Sequence, residues 1–138
     1  MEKIEWKEEY SIGVERIDLQ HQHLFEIINK LIECPYPNGC PELASGILAE
    51  MVNYARVHFT DEEVLMQRYN YPEIGLHKKQ HDYFITTTAE LTVGFMDNKK
   101  TTKDEITEFL SLWLVNHILK TDMKLKGLSK AKITAGAK

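Results

Sequence analysis

Cysteine is scarce in this chain. Its 138 residues include only Cys34 and Cys40, whose spacing fits neither a CxxC pair nor a zinc hairpin. They flank the turn-forming run Pro35-Tyr36-Pro37-Asn38-Gly39 and read as two free thiols in a loop. A disulfide framework and a thiolate metal site are therefore set aside, the alternative for the pair being a redox-sensitive bridge that closes the loop. Long uncharged apolar runs are also missing, which argues against a membrane-spanning helix. The opening Met1-Glu2-Lys3-Ile4-Glu5 is charged and has no apolar signal segment, so the expectation is a cytoplasmic protein. Lys and Arg together number 17 against 21 Asp and Glu, and basic residues gather only toward the C-terminus. With no basic stripe to follow a phosphate backbone, nucleic acid is not an expected partner. Strand-like alternation is absent at any useful length.

What the sequence does have is helical periodicity. Breakers at Cys34 to Pro41, Asn70 to Pro72 and Asp97 to Thr101 separate four long periodic stretches. The first carries apolar residues at Ile17, Leu24, Ile28 and Leu31, with His21 in the same row. The second runs through Ile47, Met51, Tyr54, His58, Glu62, Leu65 and Tyr69, with Ala55 and Met66 beside the row. Ile74, His77, His81, Phe84, Thr88, Leu91 and Phe95 form the third, and Ile106, Leu110, Trp113 and His117 the fourth. This three-and-four spacing is one face of a helix. Pro41 and Pro72 sit where a first helical turn tolerates proline. The fold expected is all-α: one domain, an antiparallel up-down-up-down four-helix bundle over about residues 17–125, with an irregular N-terminal arm at 1–16 and a Lys-rich tail from about 126 to 138.

Every one of the four rows carries histidine. Residues four apart lie nearly above one another on a helix, so His58 with Glu62 (HxxxE) and His77 with His81 (HxxxH) can each offer two ligands to one ion. His117 and Asp122 stand five apart. On an unbroken helix that is about 140° round, so the pair shares a site only if the helix loosens there. A single histidine in an apolar row is ordinarily a core residue. Five of the six, together with a glutamate, are another matter, because burying them without partners costs several kcal/mol. Metal is the economical compensator. Five imidazoles and two carboxylates exceed what one tetrahedral zinc uses and imply two ions, for which iron or manganese suits the donor set better than copper. His23, two positions from His21, is expected to face solvent. Asp18 is read as a cap for the first helix, and Asp61 and Glu63 as solvated surface beside Glu62.

At these residues the chain resembles the hemerythrin family, and in particular its single-domain bacterial type, bacteriohemerythrin. The resemblance spans nearly the whole chain: Trp6 and Tyr10, Gly13-Val14, the run Ile17-Asp18-Leu19-Gln20-His21, then HxxxE, HxxxH and HxxxxD in order. It implies a non-haem pair of iron ions, Fe2+ or Fe3+, with an oxo or hydroxo bridge. His77, His81 and His117 would hold one iron, His21 and His58 the other, and Glu62 and Asp122 would bridge them. It further implies reversible dioxygen binding for storage, transport or local delivery, in an apolar pocket lined by Leu24, Phe59, Trp113, Leu114 and Ile118. The expected protein is then a binding protein, not an enzyme, monomeric, and able to serve an oxygen-consuming acceptor. The alternative is a di-iron peroxidase, or a protein that scavenges or senses nitric oxide or oxygen.

Overall fold

The computed structural model describes residues 2–34, 41–98 and 102–128. Cys40 and the residues from 129 onward lie outside this set; Cys34, within it, is buried. Four helices, α1 (Glu15–Glu33), α2 (Pro41–Arg68), α3 (Ile74–Val93) and α4 (Lys103–Asn116), form the molecule, with no strand among the described residues. Each helix packs on its two neighbours, α1 against α2 and α4, and α3 against α2 and α4. No helix among the described residues is long and apolar enough to cross a membrane.

Local chemistry explains the boundaries. α2 stops where Asn70 takes a left-handed conformation, φ 54°. There the Tyr71 N–H reaches back to Met66 O and the Asn70 N–H to Gln67 O, the paired bonds of a Schellman ending. α4 starts on Thr102, whose hydroxyl accepts from the Glu105 N–H. Beyond Asn116 the fourth helix changes pitch, passing through a π-helical turn, His117–Thr121, into a 3-10 turn, Asp122–Leu125.

The expected rows face inward, with one adjustment. On the long α2, Ala55 and Met66 are fully buried, whereas Tyr54 and Leu65 are only half-buried. A straight helix drifts about 20° per heptad against a strict seven-residue repeat, so over 28 residues the buried line slides sideways. Lys103 is buried as well, its ammonium donating to Leu31 O and Cys34 O at 3.2 and 2.9 Å. It thereby gives a partner to the Cys34 carbonyl just past α1 and a second donor to Leu31 O, which also accepts the Cys34 N–H.

The N-terminal arm is tied down along its length. Asn29 holds the Ile4 backbone through both its N–H and its carbonyl, while Trp6 and Tyr10 pack on Phe25. Asp18 does not cap α1. The helix begins earlier, at Glu15, which leaves the Asp18 carboxylate one turn inside it to accept from the Ser11 hydroxyl and the Ile12 N–H. Asp18→Ala would strand that buried N–H, at about 1–3 kcal/mol. We expect a melting temperature several degrees lower and faster proteolysis before residue 14, with the bundle intact; a melting curve matching the parent would show that the arm adds no stability through this contact.

Two apolar clusters result. The larger, containing Leu24, Ile28, Met51, Phe84 and Leu110, fills one end of the bundle. A smaller one, Ile12, Ile17, Met66, Tyr71 and Leu125, closes the other. The layer between them is polar.

Candidate metal centre

Seven side chains make up that layer: His21 from α1, His58 and Glu62 from α2, His77 and His81 from α3, and His117 and Asp122 from the end of the fourth helix. None is more than 3% exposed. The one-turn spacings in α2 and α3 aim their pairs inward, as the motifs predict. His117 and Asp122 meet because the π-helical turn intervenes: the Asp122 N–H bonds to the His117 carbonyl, five residues back. In such a turn residues five apart stack as residues four apart do in an α-helix.

Both carboxylates divide their oxygens between two sets of rings. Glu62 Oε2 lies 3.1 Å from Nε2 of His21 and of His58. Its Oε1 faces His77 and His81 at 3.3 and 3.1 Å, with His117 at 4.0 Å. Asp122 repeats the division, with Oδ2 3.0 Å from His21 and Oδ1 3.0 and 3.1 Å from His77 and His117. Two overlapping groups of potential metal donors follow: Glu62, His77, His81, His117 and Asp122, and His21, His58, Glu62 and Asp122.

Charge is concentrated here. Burial alone would lower the pKa of His21, but the carboxylates of Asp122 and Glu62 outweigh it and push it up to about 10. His77 is likewise pushed up to about 9. Burial would raise Glu62, yet the His58 charge and contacts from His21, His58 and His77 hold it well below the usual carboxylate range. Asp122 is also lowered: burial and the Glu62 charge oppose this, and His117 and His21 prevail.

These directions set the pH dependence of the metal-free fold. Raised histidines lend stability that is fully present below their ordinary 6.5 and is lost progressively as pH climbs through about 9 and 10. Lowered carboxylates lend stability present above their ordinary 4.5 and 3.8 and lost as pH falls through their folded values. The melting temperature of metal-free protein should therefore decline between about pH 6.5 and 10. A rise over that interval would contradict charged pairing in this layer.

The donor set suits metal ions. Both Asp122 oxygens are sealed from solvent without an aligned hydrogen-bond donor, and a buried carboxylate left so is expensive unless a cation answers it. The seven residues can hold metal. Residues 12–128 match the model of the hemerythrin HHE cation binding domain.

The chain belongs to the hemerythrin family.

It is 33% identical over 134 residues to a bacteriohemerythrin of Stenotrophomonas maltophilia, covering 96% of this chain and 86% of that one. To a myohemerythrin of Theromyzon tessulatum it is 33% identical over 126 residues, covering 91% and 93%. The crystal structure of a wild-type hemerythrin superposes with a TM-score of 0.82 at 28% identity, covering 91% of this chain and 96% of that one.

Sequence reasoning missed four residues around this buried polar layer. Gln20 Oε1 meets His58 Nδ1 at 2.7 Å, Glu63 meets His81 Nδ1 at 2.9 Å, and Gln80 Oε1 meets His117 Nδ1 at 3.0 Å. Asp61 accepts from Gln20 and Arg16. Asp61 and Glu63 are therefore not simply solvated surface: beside the ligand face of α2, Glu63 reaches the outer nitrogen of a ring on a neighbouring helix, and Asp61 reaches another through Gln20. The available signal was chemical. An imidazole that binds metal through one nitrogen carries a hydrogen on the other and wants an acceptor for it. His23 stays outside both groups, half-exposed beside Glu26 and Glu50.

Leu24, Phe59, Leu114 and Ile118 are buried in the larger apolar cluster, with Trp113 half-buried against it. The two aromatics stack on rings of the three-histidine group, Phe59 on His81 with centroids 3.9 Å apart and Trp113 on His117 at 4.4 Å.

Proposed function

We propose that this chain binds dioxygen reversibly at a pair of iron ions held by the seven residues of the polar layer. The observation that carries the reading is the division of the Glu62 and Asp122 oxygens between two groups of rings. That arrangement suits two ions side by side, with His77, His81 and His117 on one, His21 and His58 on the other, and the carboxylates shared. When bound, a reduced iron pair supplies electrons to dioxygen on uptake and recovers them on release. The family membership supports iron, as do donors that are nitrogen and oxygen without thiolate.

The chain's own residues supply what reversibility needs. The two-histidine group has fewer donors, so an ion held there would have a position left over for a small ligand. Leu24, Phe59, Trp113, Leu114 and Ile118 bring hydrocarbon and aromatic surface to the layer's inner edge and keep water and outside reductants away. Phe59 and Trp113, stacked on His81 and His117, also hold those rings in place. The protein acts in this reading as a binding protein serving storage, transport or local delivery.

The test is to load reduced iron without air, count the metal, and follow the visible spectrum as oxygen is admitted and purged. Two irons per chain and a band that comes and goes with oxygen are expected. A band that bleaches irreversibly to the ferric form would move the assignment to peroxide or nitric oxide chemistry.

A further inference from the structure

Gln20, 7% exposed, lies between two groups with opposite demands. One end of its amide is 2.6 Å from Asp61 Oδ2 and the other is 2.7 Å from His58 Nδ1. A carboxylate can only accept, so the end facing Asp61 has to be the NH2. The end facing His58 is then the carbonyl oxygen, which also only accepts. His58 must consequently carry its hydrogen on Nδ1, and its Nε2 is the nitrogen that looks inward, 3.1 Å from Glu62. Arg16 pins Asp61 from outside, with Nε and Nη2 each 3.0 Å from the same oxygen.

We propose that Asp61, acting through Gln20, selects the ring nitrogen of His58 that is free to bind metal, and so governs how firmly the two-histidine half of the centre holds its ion. The proposal rests on the two-ion reading above. Asp61 and Gln20 are positioning residues in this scheme. Without Asp61 the amide is free to turn over, and an NH2 presented to His58 would call for a bare Nδ1, moving the hydrogen to Nε2 and closing it to metal. The three-histidine half depends on no selection by Asp61: His117 bonds to the Gln80 amide, whose oxygen is held in place by the Thr121 hydroxyl. His81 bonds directly to the Glu63 carboxylate, which accepts in either orientation.

The contrast between two substitutions at one partly exposed position tests this. Asp61→Asn keeps an oxygen where Arg16 and Gln20 need it, whereas Asp61→Ala removes the acceptor. In metal-free protein, side-chain amide NMR should show one Gln20 N–H shifted downfield and protected from exchange, unchanged in Asp61→Asn and lost in Asp61→Ala. With cobalt(II) as the probe, the parent protein should take up two ions. Asp61→Ala should release one of them to a chelator about tenfold faster or more, with release of the second ion unaffected. Gln20→Glu, whose carboxylate accepts from His58 without orientation, should make Asp61→Ala harmless when the two are combined. Gln20 signals indifferent to Asp61→Ala, parental release of both ions, or equal acceleration of both would each overturn the proposal. Fewer than two cobalt ions in the parent would instead bring down the two-ion reading, while the NMR contrast would still report on the amide.

Discussion

Glu62→Ala is expected to leave the purified protein with at least one iron fewer per chain than the parent. Glu62 is the residue whose two oxygens face all five rings, at 3.1 Å to His21, His58 and His81, 3.3 Å to His77 and 4.0 Å to His117. Removing it takes away a shared donor from both groups and a full negative charge from a layer sealed from water. Cations brought together there would repel one another in a low-dielectric surrounding with half their compensation gone. Iron analysis with a melting curve checks the result, since the helices should remain folded: the substitution trims a side chain between two intact apolar clusters. Retention of two irons with parental oxygen uptake would falsify the shared role of Glu62.

Stripping the metal from the intact protein should lower its melting temperature by roughly 20 °C or more. An ion present at a thousand times its dissociation constant stabilises the folded state by about 4 kcal/mol, and two ions double that. In a chain of 138 residues, each kcal/mol moves the melting point by about 2–8 °C. The metal-free layer retains its own compensation, because His21 and His77 are raised and can pair as cations with the carboxylates. Folding should therefore survive metal loss. For the same reason, metal uptake at neutral pH should release about two protons per chain, measurable by calorimetry in buffers of different ionisation heat. A melting point insensitive to a chelator would mean that the ions lie outside the core, and with them the present ligand set.

Much of this was legible in the order of residues. HxxxE and HxxxH need only the turn of a single helix, so spacing alone pairs His58 with Glu62 and His77 with His81. Four rows of apolar residues each interrupted by histidine implied a polar layer, and the bundle brings the rows together at one level. The pairing of His117 with Asp122 stood at the limit of what spacing can say. Five residues disagree with α-helical geometry, and the conflict is resolved by a π-helical turn whose Asp122-to-His117 bond is a local choice made under tertiary packing, with Leu125 buried immediately beyond. Asp18 shows the opposite kind of error: helix-start chemistry suggested a cap, whereas the helix begins three residues sooner, at Glu15, and the carboxylate serves the arm.

The sequence by itself determined the helical class, the inward rows and the polar side chains that interrupt them, because these follow from a period of about 3.6 residues and from the cost of burying polar groups unpaired. Only the tertiary structure decided which oxygen faces which ring, and which of Gln20, Asp61, Glu63 and Gln80 would hold the outer nitrogens. Those contacts join residues 18 to 41 positions apart, on faces that a single-helix pattern assigns to solvent. Their partners exist only once neighbouring helices have set their rotation and depth against one another.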